Sequence, residues 1–201
     1  MALREIIKLP DPRLRLKSED VSVFDAELQR LVSDMAETMQ VAKGIGLAAI
    51  QVAVPQRVLV IDIGDLDEED HYIEGDEASE SRLADRRKIS NLEIYVNPVI
   101  VESEGTIEYE EGCLSVPGVY SNVTRKNSIK LRYQDLKGRA FEGTFDGLRA
   151  IVLQHEMDHL DGVVFTDRIG PMQRMMLLNK YAKLQKANAD GSDSGQDDDE
   201  G

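Results

Sequence analysis

The sequence predicts an α+β fold: mostly antiparallel β-sheets packed around a central helix, with an amphipathic helix before them and another helix after. Three observations predict it. Helical and strand-like segments do not alternate as βαβ units. Residues 127–134 alternate strictly and run through a turn into a second strand. Two histidines four residues apart close a segment whose apolar residues recur at helical spacing.

The chain of 201 residues is long enough for one domain with a sizeable core. It opens with an extended, twice-prolined arm, Leu9 to Val21. An amphipathic helix is expected from about Asp25 to Ala42, because Leu28, Leu31, Val32, Met35 and Met39 share one face. Asp25 and Glu27 suit its start, and Lys43 followed by Gly44 its end. The small, apolar segment GIGLAAIQV (Gly44–Val52) follows, with Gly44 and Gly46 allowing close backbone approach. It lacks the third glycine and the preceding strand of a dinucleotide site.

Arg57 to Ile63 reads as a buried strand, and Ile94 to Val101 and Gly105 to Glu110 as further strands. In Asn127 to Gln134, Ile129, Leu131 and Tyr133 face one way and Lys130, Arg132 and Gln134 the other, and Asp135 to Gly138 makes the hairpin turn. Asp146 to His159 reads as helix, and a last helix is expected from about Pro171 to Ala187.

The domain organisation expected is a single catalytic domain, 1–187, with an acidic inserted loop at about 64–90 and a disordered acidic tail at 188–201. The net charge of −14 is uneven. Asp62 to Asp85 holds eleven acids and one base, and Asn188 to Gly201 six acids and none. The remaining body carries 21 acids and 23 bases, so the acidity sits on solvated appendages. His71 falls in the first of these and reads as a solvated side chain. There is no basic stripe and no Trp, which argues against DNA or RNA as partner. No apolar run is long enough for a membrane span and no signal peptide is evident, so a cytoplasmic, bacterial protein is expected. The lone Cys113 forbids an internal disulfide.

The chemistry lies in His155-Glu156-Met157-Asp158-His159. Residues four apart lie on one helix face, so both imidazoles can reach one metal ion while Glu156 holds a water beside it. Two of the three histidines in the chain fall in this pattern. Leu148, Ile151 and Val152 place them on the buried side, and Gly162 suits the helix end. A catalytic site of this kind needs a third protein ligand and an open position. Cys113, in the Gly-flanked segment EGCLSVPG (Glu111–Gly118), is the soft candidate; an Asp is the other.

GIGLAAIQV, EGCLSVPG and QHEMDHLDG (Gln154–Gly162) together resemble, in order, the three signature motifs of the peptide deformylases. The likeness extends over residues 1 to about 187. It implies a metal-dependent hydrolase that removes the formyl group from the N-terminal formyl-methionine of newly synthesised peptides, releasing formate. Metal ligands are then expected at Cys113, His155 and His159, and the general acid–base at Glu156. The oxyanion donors fall on the Gln51 side-chain amide and the Leu114 backbone N–H. The methionine pocket draws on Ile45, Gly46, Glu111, Gly112, Ile151 and Val152. The resemblance implies one divalent ion per chain, ferrous iron first, with zinc, nickel or cobalt as substitutes. It also implies nascent formyl-peptides as partners, and the ribosome near its exit tunnel through Arg174, Lys180, Lys183 and Lys186, against which the acidic tail would work.

Arg125 is a candidate partner for Glu111, bracing the Cys113 loop; a surface ion pair unrelated to the site is the competing reading. A metallopeptidase of another class would make Cys113 dispensable. A structural metal site would need a fourth protein ligand, and would need neither Glu156 nor Gln51.

Overall fold

The computed structural model describes residues 2–64 and 91–193, the last five in backbone only. The expected acidic loop and His71 thus lie outside the described residues, apart from Gly64, as does the tail beyond Asp193. The order of elements is α1 (Ala26–Val41), β1 (Gly46–Ala48), β2 (Val58–Ile61), β3 (Glu93–Glu104), β4 (Ile107–Glu111), β5 (Ser121–Arg125), β6 (Ser128–Gln134), β7 (Ala140–Asp146), α2 (Gly147–Leu160) and α3 (Pro171–Asp193). Short 3-10 turns occupy Pro12–Arg15, Ala49–Val52 and Phe165–Asp167. Five strands form one antiparallel sheet in the order β1-β2-β3-β6-β7, and β4 and β5 pair separately. This is the α+β arrangement expected, with N- and C-terminal helices flanking the sheets.

Helix α1 starts where the Asp25 carboxylate accepts from the Glu27 and Leu28 N–H groups, satisfying two orphan donors. The five residues expected on its apolar face are all buried. Its end differs from expectation. The left-handed residue is Lys43, at φ 60, rather than Gly44. Gly44 N–H instead donates to the Met39 carbonyl at 3.0 Å, closing the helix end.

The turn into β1 and the 3-10 turn after it were not evident from the sequence. Strand β1 is only three residues long, and all three are buried. Strand β3 runs to Glu104, longer than expected, and bends where its register with β6 shifts between Val96 and Val99. Asn97 sits at that bend with φ 52. Its side chain exchanges two hydrogen bonds with the Val21 backbone, at 2.8 and 2.9 Å, and donates to Gln134 Oε1 at 2.8 Å. The N-terminal arm is thereby tied to the sheet.

Helix α2 is buried on nearly every side; only Arg149 of its fourteen residues is not. The sequence shows one apolar face, because the other faces carry Glu, Gln and Asp whose partners come from elsewhere in the fold. Beyond α2, Gly162 takes φ +74. A Cβ there would lie 2.6 Å from the Arg15 carbonyl oxygen. Helix α3 continues past Ala187 to Asp193, so the first residues of the expected tail are helical. Once a helix is nucleated, each added residue gains a hydrogen bond, and Ala187 and Ala189 favour extension. From α3, Tyr181 Oη donates to the Leu9 carbonyl at 2.9 Å.

Replacing Gly162 combines a left-handed backbone with a clash against main chain. Gly162→Ala is expected to destabilise the fold by about 2 kcal/mol or more in urea unfolding. A change within 0.5 kcal/mol would show that the Arg15 segment yields freely.

Candidate active site

Three segments meet at one buried place. Helix α2 supplies His155 and His159 one turn apart, with ring centroids 5.1 Å apart. The loop after β4 supplies Cys113. The 3-10 turn after β1 supplies Gln51. Ligand atoms of Cys113, His155 and His159 all lie within 4.8 Å of one another, and all three residues are buried. Cys113 Sγ is 3.2 Å from His159 Nε2.

The donor set fits a cation. His155 turns Nδ1 to Glu111 Oε2 at 2.8 Å, which leaves Nε2 for a metal. Burial pushes the His159 imidazole well below its ordinary value, so the ring is in the neutral, ligating form. His159 Nδ1 has no hydrogen-bond partner among the described residues. A fully buried imidazole held only through a thiol is costly, and a cation ligand bond offsets that cost.

Glu156 stands beside this cluster. Burial raises its carboxyl to about 7, the range suited to proton transfer near neutrality. Its Oε2 is buried with no hydrogen-bond partner among the described residues. Gly46 explains how the carboxylate fits. A Cβ on Gly46 would lie 2.4 Å from Glu156 Oε1 and 2.9 Å from its Cγ and Cδ. No side chain larger than hydrogen can occupy that position without moving Glu156.

Gln51 is oriented by its surroundings. The Ala48 N–H donates to Gln51 Oε1 at 2.8 Å, so the amide oxygen is occupied. The NH2 end therefore faces the site, 3.7 Å from Cys113 Sγ and 3.2 Å from Ser115 Oγ. The N-terminal arm holds both pieces in place: Ile7 N–H donates to the Gln51 carbonyl at 2.8 Å and Leu9 N–H to the Ser115 carbonyl at 3.0 Å.

The six residues expected to form the substrate pocket, Ile45, Gly46, Glu111, Gly112, Ile151 and Val152, all line one open pocket. His155 and Glu156 lie on its wall. Tyr109 and Leu148 line it too, and sequence reasoning missed both as pocket residues. Leu148 was legible as a member of the Ile151 face; Tyr109 was not, because only its place on β4 two residues before Glu111 brings it there.

Between the two readings of Arg125, the structure decides for the brace. Arg125 is buried and grips Glu111 with Nε to Oε1 at 2.6 Å and Nη2 to Oε2 at 2.9 Å. Its Nη1 donates to Asp158 Oδ2 at 2.6 Å. Burial alone would raise the Glu111 carboxyl, but the hydrogen bonds from Arg125 and His155 outweigh it and hold it at about 2. Asp158, and Arg168 beyond it, were not anticipated.

A family model described as polypeptide deformylase matches residues 3–175. The peptide deformylase of Novosphingobium aromaticivorans is 48% identical over 188 residues, which cover 93% of this chain and 100% of that protein. The peptide deformylase of Chromobacterium violaceum is 46% identical, covering 94% and 99%. The crystal structure of a peptide deformylase from Legionella pneumophila matches with a TM-score of 0.78 at 41% identity, covering 94% of this chain and 98% of that one. A peptide deformylase from Synechococcus elongatus, solved in complex with actinonin, matches with a TM-score of 0.75 at 35% identity, covering 89% and 88%.

Removing Arg125 would leave the buried Glu111 carboxylate without its guanidinium and Asp158 with Arg168 alone. Arg125→Met is expected to cost about 3–5 kcal/mol in guanidinium unfolding. A loss below 1 kcal/mol would mean that water reaches Glu111 and Asp158.

Proposed function

The chain belongs to the polypeptide deformylase family, and from that premise we propose how its residues divide the work. Members are metal-dependent hydrolases that remove the formyl group from the N-terminal formyl-methionine of newly synthesised peptides. The observation that carries the assignment of roles is the buried convergence of Cys113, His155 and His159 beside Glu156, on the wall of one cavity.

In this reading Cys113, His155 and His159 hold one divalent ion. Bound there, such an ion supplies Lewis acidity, which acidifies water and polarises a carbonyl. The substrate methionine enters the cavity between Ile45, Ile151 and Val152. Glu156 takes a proton from the attacking water and later returns it to the departing peptide amine. Negative charge grows on the formyl oxygen, where Gln51 Nε2 and the Leu114 N–H donate to it; one such donor is typically worth about 3 kcal/mol. Arg125 and Glu111 act through His155, fixing its ring.

Ferrous iron is the ion proposed. The thiolate and imidazole ligands also suit zinc, nickel and cobalt, and metal supply chooses among them. A nascent-chain substrate and the bacterial relatives support a location in the bacterial cytoplasm. No described helix is long and apolar enough to cross a membrane. Exposed Lys180, Lys183 and Lys186 on α3 support a meeting with nascent chains near the ribosomal exit tunnel. Arg174 is already paired with Asp167 at 2.7 Å.

The decisive experiment is formate release from formyl-Met-Ala-Ser by protein purified without oxygen. Wild type is expected to release formate and Glu156→Gln none, with metal content unchanged in the variant. Cleavage of unformylated peptides without formate release would replace this reading with a metallopeptidase. Gly46→Ala supplies an independent check. Its Cβ displaces Glu156, so kcat is expected to fall about 100-fold while the thermal midpoint stays nearly constant. Undiminished kcat would show that Glu156 can act from a second position.

A further inference from the structure

We propose that Arg168 is a positioning residue for the metal site, acting on His155 through Asp158, Arg125 and Glu111. The proposal rests on the reading of His155 as a metal ligand.

The four side chains form one line of alternating charge ending at the imidazole. Arg168 stands at the outer end, just beyond the 3-10 turn Phe165–Asp167, with its side chain 48% exposed against 11% for Asp158. Arg168 Nε donates to Asp158 Oδ2 at 2.9 Å and its Nη2 donates to Oδ1, a two-point grip. Arg125 Nη1 donates to the same Oδ2 at 2.6 Å. Arg125 thus serves two carboxylates at once, and keeps both Nε and Nη2 on Glu111 while giving Asp158 only Nη1.

That unequal division depends on Arg168. With Arg168 in place, Asp158 has three donors and draws only one of them from Arg125. Without it, Asp158 keeps its charge in a largely buried position and loses two donors. The remaining guanidinium on it is Arg125, so the fork is pulled toward Asp158 and its grip on Glu111 loosens. Glu111 Oε2 is the atom that takes the His155 Nδ1 contact at 2.8 Å. A loosened Glu111 leaves the imidazole free to rotate, and a metal ligand held by a mobile partner binds more weakly. Removing a positive charge also acts directly, in the opposite sense, by favouring a cation. That direct effect is small, because Arg168 is half exposed and its field is screened by salt. The sign of the change in affinity therefore separates the two.

The test uses full-length metal-free protein titrated with Co2+ and read by visible absorption. Arg168→Met is expected to bind Co2+ about tenfold more weakly, and Arg168→Lys about threefold, since one ammonium cannot grip both oxygens. Adding Asp158→Asn to Arg168→Met is expected to recover most of the loss, because the neutral amide no longer competes for Arg125. In the cobalt-loaded enzyme, kcat should fall while KM for formyl-Met-Ala-Ser stays unchanged, as Arg168 does not line the substrate cavity. Co2+ binding by Arg168→Met within twofold of wild type, or tighter, overturns the proposal whatever happens to its melting temperature. So does a double variant no better than the single one. If His155→Ala binds Co2+ as wild type does, the ligand assignment itself fails, and that outcome is distinct from the others.

Discussion

The Arg125 guanidinium, buried between Glu111 and Asp158, is the contact on which the site depends. Strands β4 and β5 share no ladder with the five-stranded sheet. Cys113 follows β4, whereas both histidines ride on α2 inside the larger sheet's core. Something must fix the small hairpin against the helix to within a fraction of an ångström. Apolar packing by Val116, Val119 and Val123 supplies attraction but little register. Arg125 supplies register, because its forked donors accept only one placement of Glu111 on β4 and of Asp158 on α2. Along β5 the residues Ser121, Val123 and Arg125 point inward. A slip of one residue would turn Arg125 outward, leaving Glu111 buried without its guanidinium and Asp158 with Arg168 alone. A buried ion pair adds little net stability over an apolar substitute. Its value here is that misplacement is expensive.

The same feature explains what could and could not be read from the sequence. Helix α1, strand β6 and the histidine pair are legible because each follows a simple period with one apolar face. Strand β5 is not legible. Its inward residues are Ser, Val and Arg, so hydrophobic alternation is absent, and the pairing that justifies a buried Arg lies 14 and 33 residues away. Strand β1 is too short to show any period. Helix α2 is misread in part for a related reason. Gln154, His155, Glu156, Asp158 and His159 make it look half polar. Gln154, for one, is buried because its amide spans Lys126 and Ala150 in three hydrogen bonds. Buried polar groups look like surface until their partners are known.

Ligand spacing is a different kind of signal. His155 and His159 are four apart because a helix brings such residues to one face, and that rule holds regardless of tertiary context. Cys113 has no such rule. Its distance in sequence from the helix is unconstrained, so it is identified by softness and by the glycine beside it, and the structure then brings its sulfur within 3.2 Å of His159 Nε2. The convergence of Cys113, His155 and His159 was legible; the side chains packed around them were only half so. Glu111 and Arg125 could be paired on paper as complementary charges near a motif. Asp158 lies inside the motif, yet nothing local shows that its carboxylate points away from the ligands toward Arg125.

The remaining piece is the segment Gly46 to Gln51, which is set by one crowding constraint and one hydrogen bond. Gly46 must lack a side chain because Glu156 fills the space its Cβ would take. Ala48 contributes its backbone, whose N–H occupies Gln51 Oε1 and so decides which end of that amide faces Cys113. In the proposed role of Gln51, an amide free to flip would present an acceptor to a developing oxyanion half the time, turning a stabilising donor into a repulsive one. The Ala48 hydrogen bond removes that freedom, and the Ile7 contact to the Gln51 carbonyl fixes the turn that carries it. Orientation of this kind is settled during folding, so no part of it has to be established when substrate arrives.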